Sequence, residues 1–184
     1  MHGRCDVGEK TIKSETKYEG KFISLRVDEV ILDNGKTATR EVVEHPGAAA
    51  ILAVTKEKEA FFVRQYRKAT EKVLLEIPAG KLDPGETPRD CAERELAEEV
   101  GMAANDLRLL AAFYTSPGFA TERIYVYLAT GLKPKTDAKP DEDEILDAQR
   151  IPLQEAVQMA KDGEIEDAKT MIALLLAADL GLAR

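Results

Sequence analysis

A glycine-led loop that runs directly into an acidic helix, at residues 80–102, constrains this chain more than any other segment. At 3.6 residues per turn, Glu95, Glu98 and Glu99 project within an arc of about 100° on one helix face. Each close pair of like charges on a helix is destabilising, so we expect a cation between the carboxylates. Ligands that offer only oxygen suit Mg²⁺ or Mn²⁺.

The residues around these carboxylates carry the signals of a helix held against its loop. Thr87 is placed to cap the helix, and Gly101 to end it in the left-handed conformation. Arg94 stands one turn before Glu98, where it can pair with Glu98 or with Glu86 and keep these carboxylates oriented. The alternative role for Arg94 is a surface ion pair of small energetic value.

The whole segment fits the pattern G-x5-E-x7-R-E-U-x-E-E-x-G-U, in which U is an apolar residue. A solvated amphipathic helix would explain the charges, but it would not explain Gly80 and Glu86 at their distances from the helix. The segment is identified as a Nudix box, and the chain resembles the Nudix hydrolase family. The nine constrained positions are Gly80, Glu86, Arg94, Glu95, Leu96, Glu98, Glu99, Gly101 and Met102.

The composition and net charge exclude several classes of function. A chain of 184 residues, 44% of them hydrophobic, can bury a full core in one domain. The net charge of −8 argues against nonspecific binding to nucleic acid or to an anionic membrane. The longest apolar run, 171–178, is far shorter than the roughly 20 residues that span a bilayer, and the N-terminus lacks the apolar stretch of a signal peptide. A cytoplasmic location is therefore expected.

The cysteines and histidines offer little catalytic potential. The two cysteines, Cys5 and Cys91, fit a reducing compartment better than a disulfide framework, and neither has partners at zinc-site spacing. The only histidines are His2 and His45, and a structural imidazole is the favoured role of His45. The chemistry is therefore expected to depend on carboxylates.

Hydrophobic periodicity predicts an α/β sandwich with a mixed sheet, and the resemblance implies the Nudix-type α/β/α form. Residues 17–32 are predicted as one strand, which a turn at 33–36 joins to a returning strand at Thr37–Glu44. Further strands are predicted at 48–54, 60–66, 73–77, 107–114 and 123–128. Helices are predicted from about residue 88, at 153–161 and at 168–180, and residues 133–144 as a polar loop.

The chain is expected to divide into an N-terminal segment, residues 1–45, and a Nudix domain, residues 46–184. The N-terminal segment reads as an antiparallel β-hairpin with an apolar face, and a hairpin of this size is not stable alone. It must pack on its own domain or on a second copy of the chain. The resemblance implies that such segments are exchanged between subunits, so a homodimer is expected.

The flanking sequence resembles the ADP-ribose pyrophosphatases within this family. The resemblance lies in residues 32–48, 63–67, 75–80 and 114–119. A proline sixteen residues beyond the last box glycine is associated with ADP-ribose preference, and Pro117 stands at that distance from Gly101. The alternative for Pro117 is a loop proline that only shapes its turn.

The resemblance also implies a role for each site residue. The carbonyl of Ala79 would hold the metals with Glu95 and Glu99, and Glu98 would complete the cluster directly or through water. The general base would be a glutamate on a loop beyond the box, so the acidic run 141–144 is the candidate, with Glu142 preferred to Glu144. The alternative is that this run is merely a solvated group of charges.

Substrate contacts are implied outside the box. Arg67 would face the phosphates or the terminal ribose, unless it is only a strand-edge surface charge. Arg40 and Glu41 would bind the nucleotide from the N-terminal segment, and Pro117 and Gly118 would belong to the specificity loop. An adenine-stacking partner is left open among Phe22, Tyr18, Phe119 and an arginine plane.

The resemblance therefore implies Mg²⁺-dependent hydrolysis of ADP-ribose to AMP and ribose 5-phosphate by water attacking phosphorus in line. Two alternatives remain open. The substrate could be another nucleoside diphosphate sugar or a dinucleotide, because specificity depends on loops rather than on the box. The chain could instead be a sensor that binds such ligands without cleavage, although such a module would be expected to lose a metal glutamate.

Overall fold

The computed structural model describes residues 8–135 and 147–183, which form two compact units. The first unit combines the N-terminal residues up to Pro46 with Tyr114–Arg123, and the second contains Gly47–Phe113 and the chain from Ile124 onward. The elements are β1 (Lys10–Glu19), β2 (Ser24–Ile31), β3 (Thr37–Glu44), β4 (Ala48–Ala53), β5 (Glu59–Arg67), β6 (Lys72–Glu76), β7 (Ala79–Lys81), α1 (Pro88–Val100), β8 (Met102–Ala103), β9 (Asp106–Tyr114), β10 (Arg123–Thr130), β11 (Lys133–Pro134), β12 (Asp147–Pro152), α2 (Leu153–Asp162) and α3 (Ala168–Asp179).

The first unit contains a three-stranded antiparallel sheet in the order β1-β2-β3. The predicted hairpin is present between β2 and β3, and Gly35 adopts the positive φ of 77° that its turn requires. The prediction of a single strand over 17–32 was wrong, because the amide of Gly20 donates to the carbonyl of Ile23 at 2.8 Å and breaks it into two. All ten residues of β1 are exposed, so the strand has no hydrophobic alternation by which to predict it.

The second unit confirms the α/β/α sandwich with a mixed sheet. Strands β7-β4-β10-β9 form the central sheet, in which β4 runs parallel to β10 and antiparallel to β7. A second sheet, β12-β5-β6, is antiparallel, and β8 pairs with β11. Strand β12 lies at the edge of its sheet and was not predicted.

Strand β4 separates the two layers of the core. All six of its residues are buried, as expected of a strand covered on both faces. Ala48, Ala50 and Leu52 pack with the buried residues of α2 and α3, whereas the alternate residues, such as Ala49 and Ile51, pack with α1. Successive side chains of a strand point to opposite faces, so α1 and the α2–α3 pair lie on opposite sides of the sheet.

No helix among the described residues is both long enough and apolar enough to cross a membrane.

Candidate active site

The loop before α1 is held in a defined shape by its own backbone. Strand β7 pairs with β4, which places Gly80 opposite Ala49. The amide of Glu86 donates to the carbonyl of Asp83 at 2.9 Å, and Gly85 between them has a φ of 82°. The loop therefore reaches the helix through a closed turn.

Both predicted helix caps are observed. The hydroxyl of Thr87 accepts a hydrogen bond from the amide of Asp90 at 3.2 Å, with Pro88 as the first helical residue. Gly101 ends α1 with a φ of 65°, and its amide donates to the carbonyl of Ala97 at 2.9 Å. These caps depend only on neighbouring residues, which is why the sequence was sufficient to predict them.

Arg94 joins the loop to three carboxylates of the box. Its Nε and Nη2 donate to the two oxygens of Glu86 at 2.9 and 3.0 Å, which is a bidentate arrangement. Its Nη1 donates to Glu95 at 2.6 Å and to Glu98 at 2.9 Å, and its Nη2 also reaches the carbonyl of Lys81 at 3.1 Å. The bond to Glu86, with the charges of the other carboxylates, raises the pKa of Arg94. Arg94 therefore orients three carboxylates at once and is not an isolated surface pair.

The carboxylates of Glu95 and Glu99 are buried against the loop. The two residues are 7% and 8% exposed, and Glu99 Oε2 accepts a hydrogen bond from the amide of Ala79 at 3.1 Å. A Cβ atom added to Gly80 would lie 1.6 Å from Glu95 Oε1. Only glycine therefore allows the backbone to approach this carboxylate so closely.

These residues fit a divalent cation by the chemistry of their donors, which are all oxygen. Across residues 8–135 and 147–183, no three acidic, histidine or cysteine side chains are already gathered at one point as a metal site. Arg94, which contacts three of the box carboxylates, supplies the positive charge among them in this arrangement. The assignment of Ala79, Glu95, Glu98 and Glu99 as ligands stays a prediction.

The ion pair of Glu86 with Arg94 should make part of the stability depend on pH. The bonds from Arg94 hold the pKa of Glu86 below its ordinary value of 4.5. A lowered carboxylate pKa stabilises the folded state above the unfolded value, and this contribution is lost as the pH falls through the lowered value. We therefore expect Glu86→Gln to reduce the free energy of unfolding at pH 7, and this deficit to start shrinking once the pH falls below about 4.5, the ordinary glutamate value.

Urea denaturation of the wild type and Glu86→Gln at pH 7, 5 and 3.5 measures this dependence. Glu93→Gln is the matched control, because it removes an exposed carboxylate of α1 that is also paired with an arginine, Arg89. A deficit for Glu86→Gln that stays constant down to pH 3.5 would contradict the pairing.

Cys91 contributes packing and not chemistry. The residue is fully buried, and its Sγ lies 3.5 Å from the carbonyl oxygen of Gly80 and 3.4 Å from that of Lys81. Burial, with the charges of Glu86 and Glu95, raises the pKa of the thiol to about 12. A thiol of this kind is a poor nucleophile at neutral pH, in line with the prediction that the chemistry depends on carboxylates.

Arg67 lies at the end of β5 and grips a buried carboxylate that the sequence did not single out. Its Nε and Nη2 each donate to Glu76 at 2.7 Å, and Glu76 is 1% exposed. Lys169 of α3 also donates to Glu76. The bond to Glu76 raises the pKa of Arg67, as do the charges of Asp167 and Glu99. Arg67 is therefore more than a strand-edge surface charge.

The loop that carries Pro117 and Gly118 belongs to the same unit as the N-terminal sheet. A turn closes the loop, since the amide of Ala120 donates to the carbonyl of Ser116 at 2.9 Å. The amide of Val43 in β3 donates to the carbonyl of Phe119 at 2.7 Å, and the amide of Thr121 donates back to Val43 at 2.9 Å. The structure thus joins two regions that the sequence analysis connected with the substrate.

The other predicted substrate contacts lie on the surface of this first unit. Arg40 and Glu41 are in β3, where Arg40 Nε donates to Glu9 at 2.9 Å and Glu41 is exposed. Phe22 is 50% exposed and meets the His45 ring edge to face, with the centroids 6.0 Å apart. The two proposed bases, Glu142 and Glu144, lie outside the described residues.

The closed loop brings backbone atoms against two buried glutamates of one helix, an arrangement of oxygen donors that suits metal-assisted hydrolysis. The model of the NUDIX domain matches residues 43–174, and that of the nucleoside diphosphate sugar hydrolase N-terminal domain matches residues 9–43. The chain belongs to the Nudix family and is a pyrophosphohydrolase of that family. Nudix hydrolases generally need a divalent metal.

Named relatives cover nearly the whole chain. A methanol dehydrogenase activator of Bacillus methanolicus is 50% identical over 167 residues, and an ADP-ribose pyrophosphatase of Bacillus subtilis (strain 168) is 47% identical over 167 residues. Each alignment covers 90% of this chain and 90% of the relative. A crystal structure of an ADP compounds hydrolase superposes with a TM-score of 0.81 at 26% identity, covering 94% of this chain and 93% of that one.

Proposed function

We propose that this protein hydrolyses the pyrophosphate bond of ADP-ribose to AMP and ribose 5-phosphate, with Mg²⁺ as its metal and Mn²⁺ as a substitute. The observation that carries the proposal is the approach of the Ala79–Gly80 backbone to two buried glutamates of α1, with Gly80 against Glu95 and the amide of Ala79 bonded to Glu99. The likeness to the ADP-ribose pyrophosphatase of Bacillus subtilis supports the choice of substrate. So does Pro117 in a loop that is bonded to the N-terminal sheet.

The chain's own residues have separate tasks in this reaction. Arg94 holds Glu86, Glu95 and Glu98 in fixed directions, and the amide of Ala79 fixes Glu99. Divalent cations bound there would neutralise the phosphate oxygens and polarise the attacking water. Glu142, or else Glu144, would take the proton of that water. The substrate is a small molecule, so no nucleic acid or membrane partner is proposed.

The other substrate contacts are proposed as the family resemblance implies them. Arg67 would hold phosphate, Arg40 and Glu41 would bind the nucleotide, and the Pro117–Gly118 turn would select the sugar diphosphate.

Residues 1–45 would form the dimer contact of a homodimer. The ten exposed residues of β1 support this role, and sedimentation that shows only monomer at micromolar concentration would contradict it. The buried free thiol of Cys91 supports a cytoplasmic location.

A panel of substrates tests the proposal directly. Purified protein with Mg²⁺ is incubated with ADP-ribose, ADP-mannose, GDP-mannose and NADH, and release of AMP or GMP is measured. We expect the highest kcat/KM for ADP-ribose. Preference for another compound would select the alternative of a different nucleoside diphosphate sugar or dinucleotide. No turnover of any compound, together with binding of ADP-ribose, would select the sensor.

The relative from Bacillus methanolicus supports a second candidate, the activation of a dehydrogenase. Adding the protein to a methanol dehydrogenase assay tests it. An unchanged dehydrogenase rate over the protein concentrations that hydrolyse ADP-ribose would contradict this candidate.

A further inference from the structure

A buried network of charges lies behind Arg67. Glu76, at the end of β6, accepts the bidentate pair from Arg67 and a further bond from Lys169. Lys169 is itself only 8% exposed, and its Nζ also donates to Asp167 at 3.0 Å. A buried carboxylate is costly unless it is fully paired, so the two cations explain how Glu76 is tolerated. Burial alone would raise the pKa of Glu76, but Arg67 and Lys169 hold it below its ordinary value.

The same network is bonded to the backbone that leads into the box loop. Asp167 caps α3 by accepting from the amide of Thr170 at 3.0 Å. The hydroxyl of Thr170 in turn accepts from the amide of Ile77 at 2.9 Å. Ile77 is the residue after Glu76 and stands two residues before Ala79. Hydrogen bonds therefore connect the start of α3 to the end of β6, just before the loop at the carboxylate site.

Arg67 is the member of this network that reaches solvent. Its side chain is 39% exposed, whereas those of Glu76 and Lys169 are 1% and 9% exposed. Among the described residues, its Nη1 makes no hydrogen bond. Because the guanidinium is planar, hydrogen bonds from its Nε and Nη2 to Glu76 also fix the direction in which the N–H groups of Nη1 point. Its partner Glu76 stands three residues before Ala79, whose amide donates to Glu99, so the strand end that holds this guanidinium continues directly into the carboxylate site.

We propose that Glu76 and Lys169 are positioning residues, which fix the guanidinium of Arg67 for the phosphates of the substrate. The proposal rests on the proposed function, in which Arg67 contacts phosphate. Glu76 sets the plane of the guanidinium. Lys169 shares the charge of Glu76, so that Arg67 is less fully neutralised by its own partner and retains attraction for an anion.

Removing the charge of Glu76 has two opposing effects on KM, and the larger of them decides whether KM rises or falls. Glu76→Gln removes a negative charge and so leaves Arg67 more cationic, but Arg67 is partly exposed and solvent screens this gain. The variant also frees a long side chain, which must then be ordered again whenever substrate binds. The loss of the fixed orientation of Arg67 is the larger of the two effects, so KM should rise.

Steady-state kinetics with ADP-ribose and Mg²⁺ test the proposal. We expect Glu76→Gln to raise KM about tenfold, the size of one charged hydrogen bond, with kcat changed less than about threefold. Lys169→Met should raise KM by about threefold, because the fork from Arg67 to Glu76 remains. A merely structural role would lower the folded fraction, and hence the apparent kcat, without moving KM.

A matched control and a double-mutant cycle complete the test. Lys72 and Glu166 form an exposed ion pair at 2.7 Å that also links β6 to the segment before α3, so Lys72→Met should leave KM unchanged. In an Arg67→Met background, Glu76→Gln should raise KM little further, because the two residues act through one guanidinium. Thermal unfolding reports whether each variant folds. If Glu76→Gln does not fold, the kinetics of Lys169→Met test the proposal instead.

Some outcomes would overturn the positioning role. One is an unchanged or lowered KM in the variants that fold, and another is full additivity with Arg67→Met. These outcomes would leave the proposed function intact. Absence of ADP-ribose turnover by the wild type would refute the proposed function instead, and the cycle would then be measured on whichever compound of the panel is hydrolysed.

Discussion

Substitution of Glu99 by glutamine is expected to lower kcat/KM by about 1,000-fold or more while the fold stays intact. Glutamine keeps an oxygen that can accept the amide of Ala79, a bond of 3.1 Å in the wild type, so the loop should stay in place. It removes the negative charge that a divalent cation needs from its ligand. Metal ions supply several kcal/mol of transition-state stabilisation, and each 1.4 kcal/mol is worth a factor of ten.

The measurement is kcat/KM over a Mg²⁺ titration, together with the thermal unfolding midpoint of each protein. Glu93→Gln is the matched control, because Glu93 lies on the same helix but its side chain is 55% exposed and, within the part of the chain that the structure describes, pairs only with Arg89. We expect the control to retain wild-type activity. Wild-type rates for Glu99→Gln would show that the metal cluster lies elsewhere.

Replacement of Gly80 by alanine is expected to lower kcat/KM by about 100-fold with little loss of stability. The added Cβ would come within 1.6 Å of Glu95 Oε1 and 1.9 Å of Glu95 Cδ. The colliding atoms are the end of a flexible side chain, so the fold can relieve the collision by turning Glu95 away. The carboxylate then leaves the position in which it lies against the Gly80 backbone and accepts from Arg94. A misplaced catalytic group of this kind can cost about a factor of 100.

Gly8→Ala is the control for this substitution, because a Cβ at Gly8 would meet nothing within 4 Å. Kinetics and thermal unfolding are measured for both variants. Activity equal to wild type in Gly80→Ala would mean that Glu95 does not need its observed position. A large fall in the unfolding midpoint would mean that the glycine serves folding and not catalysis.

The carboxylate helix could be predicted because its determinants are local. The cap at Thr87, the left-handed end at Gly101 and the spacing of the glutamates all lie within one segment of about twenty residues. Arg94 was expected to pair with Glu98 or Glu86, and it pairs with both and with Glu95. Glu98 lies one helical turn from Arg94, Glu95 is its neighbour in the chain, and Glu86 reaches it through the turn before the helix, so all three partners are local.

The edge strands were missed for a physical reason. Strand β1 is exposed along its whole length, so its sequence reads KTIKSETKYE without an apolar alternation. The prediction therefore merged the end of β1 with β2 into one strand. Strand β12 is likewise an edge strand, and a pattern of buried residues is the signal on which such predictions depend.

The charge network could not be predicted because its members are distant in sequence. Glu76 and Lys169 are 93 residues apart, and only the packing of α3 against the sheet brings them together. A weak signal existed, since Glu76 is the only charged residue in the run VLLEIPAG. Nothing in the sequence identified its partners, because buried lysines and exposed lysines look alike in a sequence.

The sequence by itself determined that residues 80–102 form a Nudix loop and helix, because those contacts lie between neighbours in the chain. Only the tertiary structure decided how that segment is supported. It showed that Gly80 admits the carboxylate of Glu95, that Arg67 is fixed by a buried glutamate, and that the Pro117 loop is bonded to β3. The bond between Val43 and Phe119 joins residues 76 positions apart. The other two contacts are closer in sequence, but their geometry depends on how the strands and α1 pack, which the sequence pattern does not give.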